Sequence, residues 1–388
     1  MKRREVGARD FLSLRLRDES AWNIWFHVAS LGEFRQAEPL LKRLKKLPRK
    51  VNTTVTFFSP SGHDIISDAN PDYIDNIGYL PLDTEQNARK TFKAIVPDLV
   101  VFVRYERWIN HLDFLHKNDV PLWLINATAP QANFSNFLLS KLNTEIFNCF
   151  SRIYPVSQNA YAQFQDLGIE TYRHKYDSRY DGIKEKVESS LINEDLKQRL
   201  DKLAGERLKI IVGSGWPEDD KYILPVLKRY SQKLFIIYAP HEINKSHLNQ
   251  LSRVFKSEFL TEIEEGKKSD MLIIDRIGLL QDLYSISDIA YVGGGFGKGV
   301  HSLGEPFGHG VPIASGKPAS GKSPETDMLV EIGALTLVKN QQEFEDWIEK
   351  SLSDSYRKGV KEKSKLIFDK LTGSSDYFIT EIEKLLSI

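Results

Sequence analysis

Residues 23–47 read NIWFHVASLGEFRQAEPLLKRLKKL, which is one apolar run followed by one helical pattern. The run Asn23–Ala29 has the length and composition of a buried strand. After it, apolar side chains recur at spacings of three and four residues, as on one face of a helix: Phe34, Ala37, Leu40, Leu41, Leu44 and Leu47. Pro39 lies inside this predicted helix, where a proline can bend the axis. A strand that leads directly into a helix is the repeating unit of α/β folds with parallel sheets.

The same alternation recurs along the 388 residues of the chain. The predicted strands are Asn23–Ala29, Thr53–Phe58, Leu99–Val103, Leu122–Asn126 and Arg152–Val156 in a first series, and Leu208–Val212, Leu234–Ala239, Met271–Ile274, Ile289–Val292 and Pro312–Ala314 in a second. Between the two series, residues 181–209 form a charged segment without a strand pattern, which we interpret as a domain boundary. The sequence therefore predicts two open α/β domains, residues 1–180 and residues 181–388, the second ending in terminal helices. Two such domains in series are expected to bind a ligand in the cleft between them, outside the carboxyl ends of the strands.

The composition excludes several classes of protein. Lys and Arg together number 53, as do Asp and Glu, so the formal net charge is zero and no basic excess indicates a nucleic-acid partner. Hydrophobic residues make up 41% of the chain, which supplies a core and argues against intrinsic disorder. Cys149 is the only cysteine, so an internal disulfide and a cysteine-cluster metal site are both excluded, and a reducing compartment is expected.

No stretch of the sequence approaches the roughly 20 consecutive apolar residues of a membrane-spanning helix, so a soluble or peripheral protein is expected. Charge is nevertheless uneven, because the first 50 residues contain 13 Lys and Arg against six Asp and Glu, a local excess of 13 − 6 = +7. This excess has two interpretations. It can be a solvated face that is balanced elsewhere, or it can attract the chain to an anionic membrane surface, at about 1 kcal/mol for each basic residue.

The loop between the first predicted strand and its helix reads HVASLGE and ends on Glu33. Two roles suit a carboxylate in the first turn of a helix. It can cap the helix, where an acidic side chain offsets the macrodipole by roughly 0.3–1 kcal/mol. It can also act as a general base, because it is a carboxylate on a rigid element beside a glycine that admits substrate. Position alone leaves both roles open.

A glycine-rich segment follows the strand Ile289–Val292 and reads YVGGGFGKGVHSLGEP over residues 291–306. Glycines let the backbone approach a ligand closely and point N–H groups at a phosphate, although a tight loop explains them equally well. The segment matches neither a Walker A loop nor a Rossmann fingerprint. His301 and Glu305 are four residues apart at the start of the next predicted helix. This spacing suits a carboxylate that binds ribose hydroxyls while helix N–H groups hold phosphate.

Three further polar stretches follow predicted strands of the second series: VGSGWPED at residues 212–219, APHE at residues 239–242, and DRIGLL at residues 275–280. Each is explained by a turn or a helix cap when taken alone. Together they place polar groups at the same end of one predicted sheet.

These stretches, in this order, resemble a known family of transferases over most of the chain, from about Trp25 to about Leu335. The matching segments are HVASLGE, TFFSPSGHD, YLPLDT, RYERWIN, YDSRYD, GSGWPEDD, APHE and DRIGLLQDLYSISDIAYVGGGFGKGVHSLGEP. The sequence is similar to the 3-deoxy-D-manno-octulosonic acid (Kdo) transferases, which transfer Kdo from CMP-Kdo to the lipid A precursor.

The resemblance implies a GT-B fold of two Rossmann-like domains facing across a central cleft. It implies an inverting transfer on the cytoplasmic face of the inner membrane, without a metal ion or another cofactor. Glu33 is the implied catalytic base, which favours one of the two roles left open above. The resemblance also implies an acceptor or Kdo side and a nucleotide side. The residues of the first are Ser30, Gly32, Glu106 and Arg179, and those of the second are Ser214, Pro240, His241, Glu242, Gly278, Gly293, Gly294, Gly295, His301 and Glu305.

The chain departs from the family pattern at several positions. His241 stands where an arginine usually follows the proline and would contact phosphate, and Ser302 and Gly304 replace Asn and Leu. Thr128 occupies an arginine position in the NATAP segment. Two alternatives are therefore kept beside Kdo transfer: a GT-B glycosyltransferase that uses another nucleotide sugar, and an inactive homologue that binds glycolipid.

Overall fold

The computed structural model describes residues 2–104, 108–129, 144–172, 177–189, 192–262, 268–297, 299–300, 302–317 and 325–386. The chain divides into two compact units. The first contains residues 1–182 together with residues 371–388, and the second contains residues 183–370. Each unit is built around one parallel sheet, which confirms the predicted fold class.

The sheet of the first unit has six parallel strands in the order β3-β2-β1-β4-β5-β6. The strands are β1 Trp22–Val28, β2 Val51–Phe57, β3 Asn76–Tyr79, β4 Leu99–Val103, β5 Leu122–Ala127 and β6 Arg152–Pro155. The helices that lie wholly in this unit are α1 Lys2–Leu12, α2 Leu31–Leu44, α3 Pro60–Ala69, α4 Glu85–Ile95, α5 Ile109–Lys117, α6 Gln158–Asp166 and α16 Ser374–Leu386. The central strand β1 leads into α2, as the opening stretch of sequence predicts.

The sheet of the second unit has seven parallel strands in the order β13-β12-β11-β7-β8-β10-β9. The strands are β7 Leu208–Gly215, β8 Leu234–Pro240, β9 Ser257–Phe259, β10 Met271–Ile273, β11 Ile289–Val292, β12 Ile313–Gly316 and β13 Leu335–Val338. Its helices are α8 Glu194–Ala204, α9 Pro217–Arg229, α10 Lys245–Val254, α11 Leu280–Tyr284, α12 Gly304–Gly308, α13 Thr326–Glu331, α14 Gln341–Ser351 and α15 Asp354–Leu371. The two boundaries between the units fall inside α7 Arg179–Ser189 and at the last residue of α15.

All ten predicted strands are present, with ends that differ by at most three residues from the prediction. The sequence pattern missed β3, β9 and β13, which are three or four residues long and lie at the edges of their sheets. Edge strands are short and pair on one side only, so they lack the long apolar run that reveals a central strand. The strand pattern of β3 is also interrupted by a glycine, Gly78. A Cβ on Gly78 would clash with the ring of Phe11, which covers this edge from α1.

The helix α2 confirms the apolar pattern that predicted it. It runs from Leu31 to Leu44 with Pro39 inside it, and it buries Phe34, Ala37, Leu40, Leu41 and Leu44 against one face of the first sheet. Apolar burial at about 25 cal/mol per Å² is what holds such a helix in place. The opposite face of the sheet packs on a second apolar cluster that includes Trp25, Phe102 and Phe164.

The last helix, α16, packs on the first unit rather than the second. Phe378 and Ile382 are fully buried in the cluster that also contains the apolar face of α2. The buried carboxylate of Asp181 accepts the N–H groups of Gly373, at 2.5 Å, and Ser375, at 2.7 Å. The predicted second domain, residues 181–388, therefore differs from the structure at its end, because residues 371–388 belong to the first unit. An apolar stripe shows that a helix is half-buried, but it does not show which surface covers it.

Candidate active site

Glu33 is held by hydrogen bonds in the loop between β1 and α2. Ser30 is the N-cap residue of α2, and its Oγ accepts the N–H of Glu33 at 3.4 Å. In return, Oε2 of Glu33 accepts the N–H of Ala29 at 2.5 Å. This reciprocal arrangement resembles a capping box. The helix-capping role is thus observed, and the same bonds fix a half-buried carboxylate at the carboxyl end of the central strand, beside the exposed Gly32.

A second motif supports this loop from the side. The N–H of Ser59 donates to the Ala29 carbonyl at 2.8 Å, which joins the end of β2 to the loop that carries Glu33. Gly62, in the first turn of α3, lies so close that a Cβ there would be 2.8 Å from the backbone N of Leu31. Any larger residue would push the two helix starts apart. The SPSG segment is therefore needed for close backbone packing.

Aromatic side chains from three motifs meet below the same loop. His27 on β1 is fully buried, with its ring 5.0 Å from the ring of Trp108 and its Nδ1 3.0 Å from Thr56 Oγ1. Phe58, which follows β2, packs edge-on against Trp108 at 5.7 Å. Packing of this kind makes the end of the strand rigid, and rigid support is what holds a functional side chain in one position.

The predicted acceptor residue Glu106 lies outside the described residues, but the segments on either side of it are placed. Arg104 has φ +70° and donates its N–H to the Ile125 carbonyl at 2.9 Å. On the other side, Asp83 caps α5 by accepting the N–H groups of Asn110 and His111, each at 3.1 Å. Burial alone would raise the pKa of Asp83, but the hydrogen bonds from His111 and Asn110 lower it. The YLPLDT and RYERWIN segments are thus joined directly.

Arg179 is positioned by a buried network that reaches α2. The side-chain amide of Asn126, at the end of β5, donates to Ser178 Oγ at 2.8 Å and to Gln36 Oε1 at 3.2 Å. Ser178 Oγ donates to the Gln36 carbonyl at 2.6 Å. Arg179 forms an ion pair with Asp177 at 3.5 Å and is about one quarter exposed. Gln36 lies one helical turn after Glu33, so the DSRYD segment is hydrogen-bonded to the helix that carries Glu33.

In the second unit, Asp219 organises the loops at the carboxyl end of the sheet. Its carboxylate is fully buried and accepts the hydroxyl of Tyr291 at 2.9 Å, the N–H of Gly294 at 2.7 Å and the N–H of Trp216 at 3.2 Å. Burial raises the pKa of Asp219, although these donors oppose the shift. Asp219 belongs to the GSGWPEDD segment, but the sequence did not show that its partner is the glycine-rich loop.

The glycine-rich loop uses its N–H groups within the protein. Gly293 donates to the Gly213 carbonyl at 2.8 Å, and Gly294 donates to Asp219. Cβ atoms on Gly293 and Gly295 would clash with the backbones of Ser214 and Gly316, and Gly294 has φ +92°. The glycines are therefore explained by close backbone packing and by a left-handed conformation. The N–H groups of Gly293 and Gly294 are both donated within the protein, and the expectation that N–H groups of this loop hold a phosphate stays a prediction.

The other predicted nucleotide residues lie around the ends of neighbouring strands. Ser214 is buried with φ +52° near the end of β7, and the N–H of His241, just after Pro240, donates to the Gly215 carbonyl at 3.0 Å. The His241 ring stacks on Trp216 at 4.2 Å. Gly278, with φ +100°, lies in the loop after β10, and no described atom lies within 4 Å of the place where its Cβ would be.

Glu305 lies in the short helix α12. Its side chain is one quarter exposed, and its Oε1 is 4.0 Å from Lys186 Nζ. Tyr284 lies near this charge, and burial together with the Glu305 carboxylate raises the pKa of Tyr284. His301 lies outside the described residues. Within the ranges that the structure describes, no cluster of three or more His, Cys, Asp or Glu side chains could hold a metal ion.

Comparison with known proteins finds relatives over most of the chain. A family model described as 3-deoxy-D-manno-octulosonic-acid transferase (kdotransferase) matches residues 4–181. The 3-deoxy-D-manno-octulosonic acid transferase of Aquifex aeolicus is 28% identical over 352 residues, which cover 89% of this chain and 90% of that protein. The enzyme of the same description from Chlamydophila psittaci is 27% identical over 318 residues, 80% of this chain and 73% of that protein. Over most of its length the chain is therefore similar to Kdo transferases, as the motif resemblance predicted.

Solved structures of other proteins share the fold of this chain. A UDP-N-acetylglucosamine 2-epimerase superposes with a TM-score of 0.65 at 16% identity, over 95% of this chain and 96% of that chain. MurG of Acinetobacter baumannii superposes with a TM-score of 0.62 at 11% identity, over 93% and 99% of the two chains. These similarities confirm the GT-B fold, and identities this low carry no information about the reaction.

Among the described ranges, no helix combines the length and the apolar character that crossing a membrane requires.

Proposed function

We propose that the protein transfers Kdo from CMP-Kdo to a lipid A precursor with inversion at the anomeric carbon and without a metal ion. The observation that supports this most is the fixed carboxylate of Glu33, held by Ser30 and Ala29 within the segment that the family model matches. The two relatives compared above are Kdo transferases by description.

In the proposed reaction, the oxygen of an acceptor hydroxyl attacks the anomeric carbon of Kdo, and the bond between that carbon and the phosphate oxygen of CMP breaks. The proton of the hydroxyl passes to Glu33, and CMP leaves with the bonding electron pair. General-base catalysis of this kind contributes about 10²–10⁴-fold to the rate. Glu106 and Arg179 are proposed to lie on the acceptor or Kdo side, and Ser30 and Gly32 to leave room for the hydroxyl.

The nucleotide is proposed to bind the second unit. Ser214 and Pro240 lie at the ends of β7 and β8, His241 follows β8 and Gly278 lies in the loop after β10. Ligands of α/β sheets bind at this edge. Because the N–H groups of Gly293 and Gly294 are donated within the protein, the Gly293–Gly295 loop is proposed to border the phosphate by shape. The phosphate charge must then be stabilised by side chains. His241 stands where the family pattern has arginine. His301 and Glu305 are proposed to complete the site.

A product assay tests this function. The full chain is incubated with CMP-Kdo and a lipid A precursor, and the products are analysed by mass spectrometry. The expected product is the acceptor enlarged by one or more Kdo residues. Parallel reactions with other nucleotide sugars separate Kdo transfer from the alternative donors. Transfer from another nucleotide sugar but not from CMP-Kdo would overturn the proposed donor, and absence of any product with intact CMP binding would favour the inactive homologue.

Glu305→Ala is expected to weaken CMP binding by about 1–3 kcal/mol, since the ribose hydroxyls lose a buried acceptor. Titration calorimetry with CMP measures the change in Kd. Glu331→Ala is the matched control, because Glu331 is an exposed glutamate at the end of α13 in the same unit. If the two variants bound CMP equally well, Glu305 would have no role in the nucleotide site.

An anionic membrane surface is proposed as a further partner. The binding should be weaker than the charge excess of +7 in the first 50 residues suggests. The six basic residues at residues 42–50 are largely paired in the structure. Lys42 pairs with Glu38, Arg43 with Asp376, Lys45 with Asp75 and Lys50 with Asp18, at 3.3, 2.6, 2.8 and 2.7 Å. Arg49 stacks over Trp22 at 4.3 Å. Glu38 also pairs with Arg35 at 2.7 Å, so four carboxylates stand against seven basic side chains and the local excess is 7 − 4 = three.

We therefore expect binding to anionic liposomes only at low salt, because about 1 kcal/mol for each unit of net charge is screened within roughly 8 Å at physiological ionic strength. Co-sedimentation across a salt series measures it. The variant with Lys42, Arg43, Lys45 and Lys46 all changed to Glu should not sediment at any salt concentration. Equal binding to neutral liposomes, or binding that ignores salt, would contradict electrostatic attraction.

A further inference from the structure

A pocket of about 340 Å³ lies in the second unit, beside the ends of β7 and β8. One wall is formed by Gly215–Glu218, where β7 leads into α9, and the other by residues that lead into and begin α10. Trp216, in the first wall, stacks on His241. The volume is at the lower end of the roughly 300–1,000 Å³ that is usual for ligand pockets, so the pocket suits a single sugar rather than a whole nucleotide sugar.

The side chains that line the pocket are mostly polar, and their only full charges are negative. Two of them are the carboxylates of Glu218 and Glu242, and no lysine or arginine is among the nine lining residues. The imidazole of His247 is engaged with Asp220, at 2.6 Å between Nε2 and Oδ2. Negative charge of this kind repels phosphate and carboxylate groups and favours ligand groups that donate hydrogen bonds, such as sugar hydroxyls.

The carboxylate of Glu218 also indicates a ligand in this pocket. Its Oε2 is buried, and no hydrogen-bond partner for it exists within the described part of the chain. A Cβ on Gly297 would lie 3.4 Å from Glu218 Cγ, so this side chain runs between the pocket and the glycine-rich loop. Buried carboxylate oxygens in folded proteins are almost always hydrogen-bonded, and one without a donor is stabilised when a ligand supplies it.

We infer that this pocket binds the sugar of the donor through its hydroxyl groups, with Glu218 and Glu242 as the acceptors. The identity of that sugar as Kdo rests on the proposed function. The pocket takes the polyhydroxyl part of Kdo, whereas the carboxylate of Kdo and the phosphate of CMP stay outside the negatively charged walls. Glu242 thereby moves from the nucleotide side to the sugar side, and Glu218 becomes a residue that selects the donor.

The test compares two ligands on two variants of the full chain. Binding of CMP is measured by calorimetry, and binding of free Kdo to the CMP-saturated protein is measured by saturation-transfer NMR. Glu218→Ala removes both acceptor oxygens, and Glu218→Gln keeps one. We expect the affinity for Kdo to fall at least tenfold in Glu218→Ala and less in Glu218→Gln, while CMP affinity stays within twofold of wild type. Glu331→Gln, outside the pocket, is the control for charge loss.

Each other outcome is decisive. Unchanged Kdo binding in Glu218→Ala would overturn the inference, and so would an equal loss of CMP and Kdo, since the pocket would then hold the nucleotide. Wild-type protein that binds CMP but no Kdo would also overturn it, while the product assay would still decide the proposed function. Wild-type protein that transfers no Kdo but binds free Kdo in a Glu218-dependent way would keep the pocket and reject the proposed reaction.

Discussion

Glu33→Gln is expected to lower the rate of Kdo transfer by about 10²–10⁴-fold, the usual contribution of a general base. The amide has nearly the size of the carboxylate, and its oxygen still accepts the Ala29 N–H, so the start of α2 keeps its cap. It cannot take the proton of the acceptor hydroxyl. Transfer is measured by the product assay, and CMP binding, which belongs to the other unit in our proposal, should be unchanged.

Glu85→Gln is the matched control for Glu33→Gln, because Glu85 is also an acidic residue in the first turn of a helix in the same unit. Its replacement should leave transfer unchanged. Thermal unfolding of all three proteins checks that the start of α2 keeps its cap. If Glu33→Gln kept its rate of transfer within tenfold of wild type, the carboxylate would be a helix cap only and the base would be another residue.

Asp219→Ala is expected to lower the free energy of unfolding by about 3–5 kcal/mol. The variant leaves the Tyr291 hydroxyl and the Gly294 N–H without their buried acceptor, and each such group costs about 1–3 kcal/mol. Urea titration measures the loss. The same variant should bind CMP poorly, because the glycine-rich loop is fastened to the end of β7 through this carboxylate.

Two further variants test this account of Asp219. Asp201→Ala removes an exposed carboxylate that pairs with Lys209 and should cost less than about 1 kcal/mol. Tyr291→Phe removes one of the donors, so the double variant Asp219→Ala/Tyr291→Phe should lose less stability than the sum of the single variants. Strict additivity would show that the hydrogen bond between the two side chains does not contribute.

The sequence predicted site residues mainly where the motif that contains them is short and continuous. HVASLGE predicted both the start of α2 and the position of Glu33, and both features depend on residues within four positions of each other. The partners of Asp83, Asp181 and Asp219 were not predicted, although each lies inside a recognised segment. Their partners are 27, 192 and 75 residues away along the chain. No local periodicity reports a contact of that separation.

The sequence alone predicted the two parallel sheets, ten of their strands and the helix α2, because buried strands and amphipathic helices follow from the spacing of apolar residues. Its short motifs showed the resemblance to the Kdo transferases. Only the tertiary structure decided the rest. In the structure, α16 belongs to the first unit, and most of the basic residues at residues 42–50 pair with carboxylates. The N–H groups of Gly293 and Gly294 donate to Gly213 and Asp219. The physical reason is that charge pairing, backbone hydrogen bonds and the choice of a covering surface join residues far apart in the chain. Composition and periodicity describe only what each segment offers for contact.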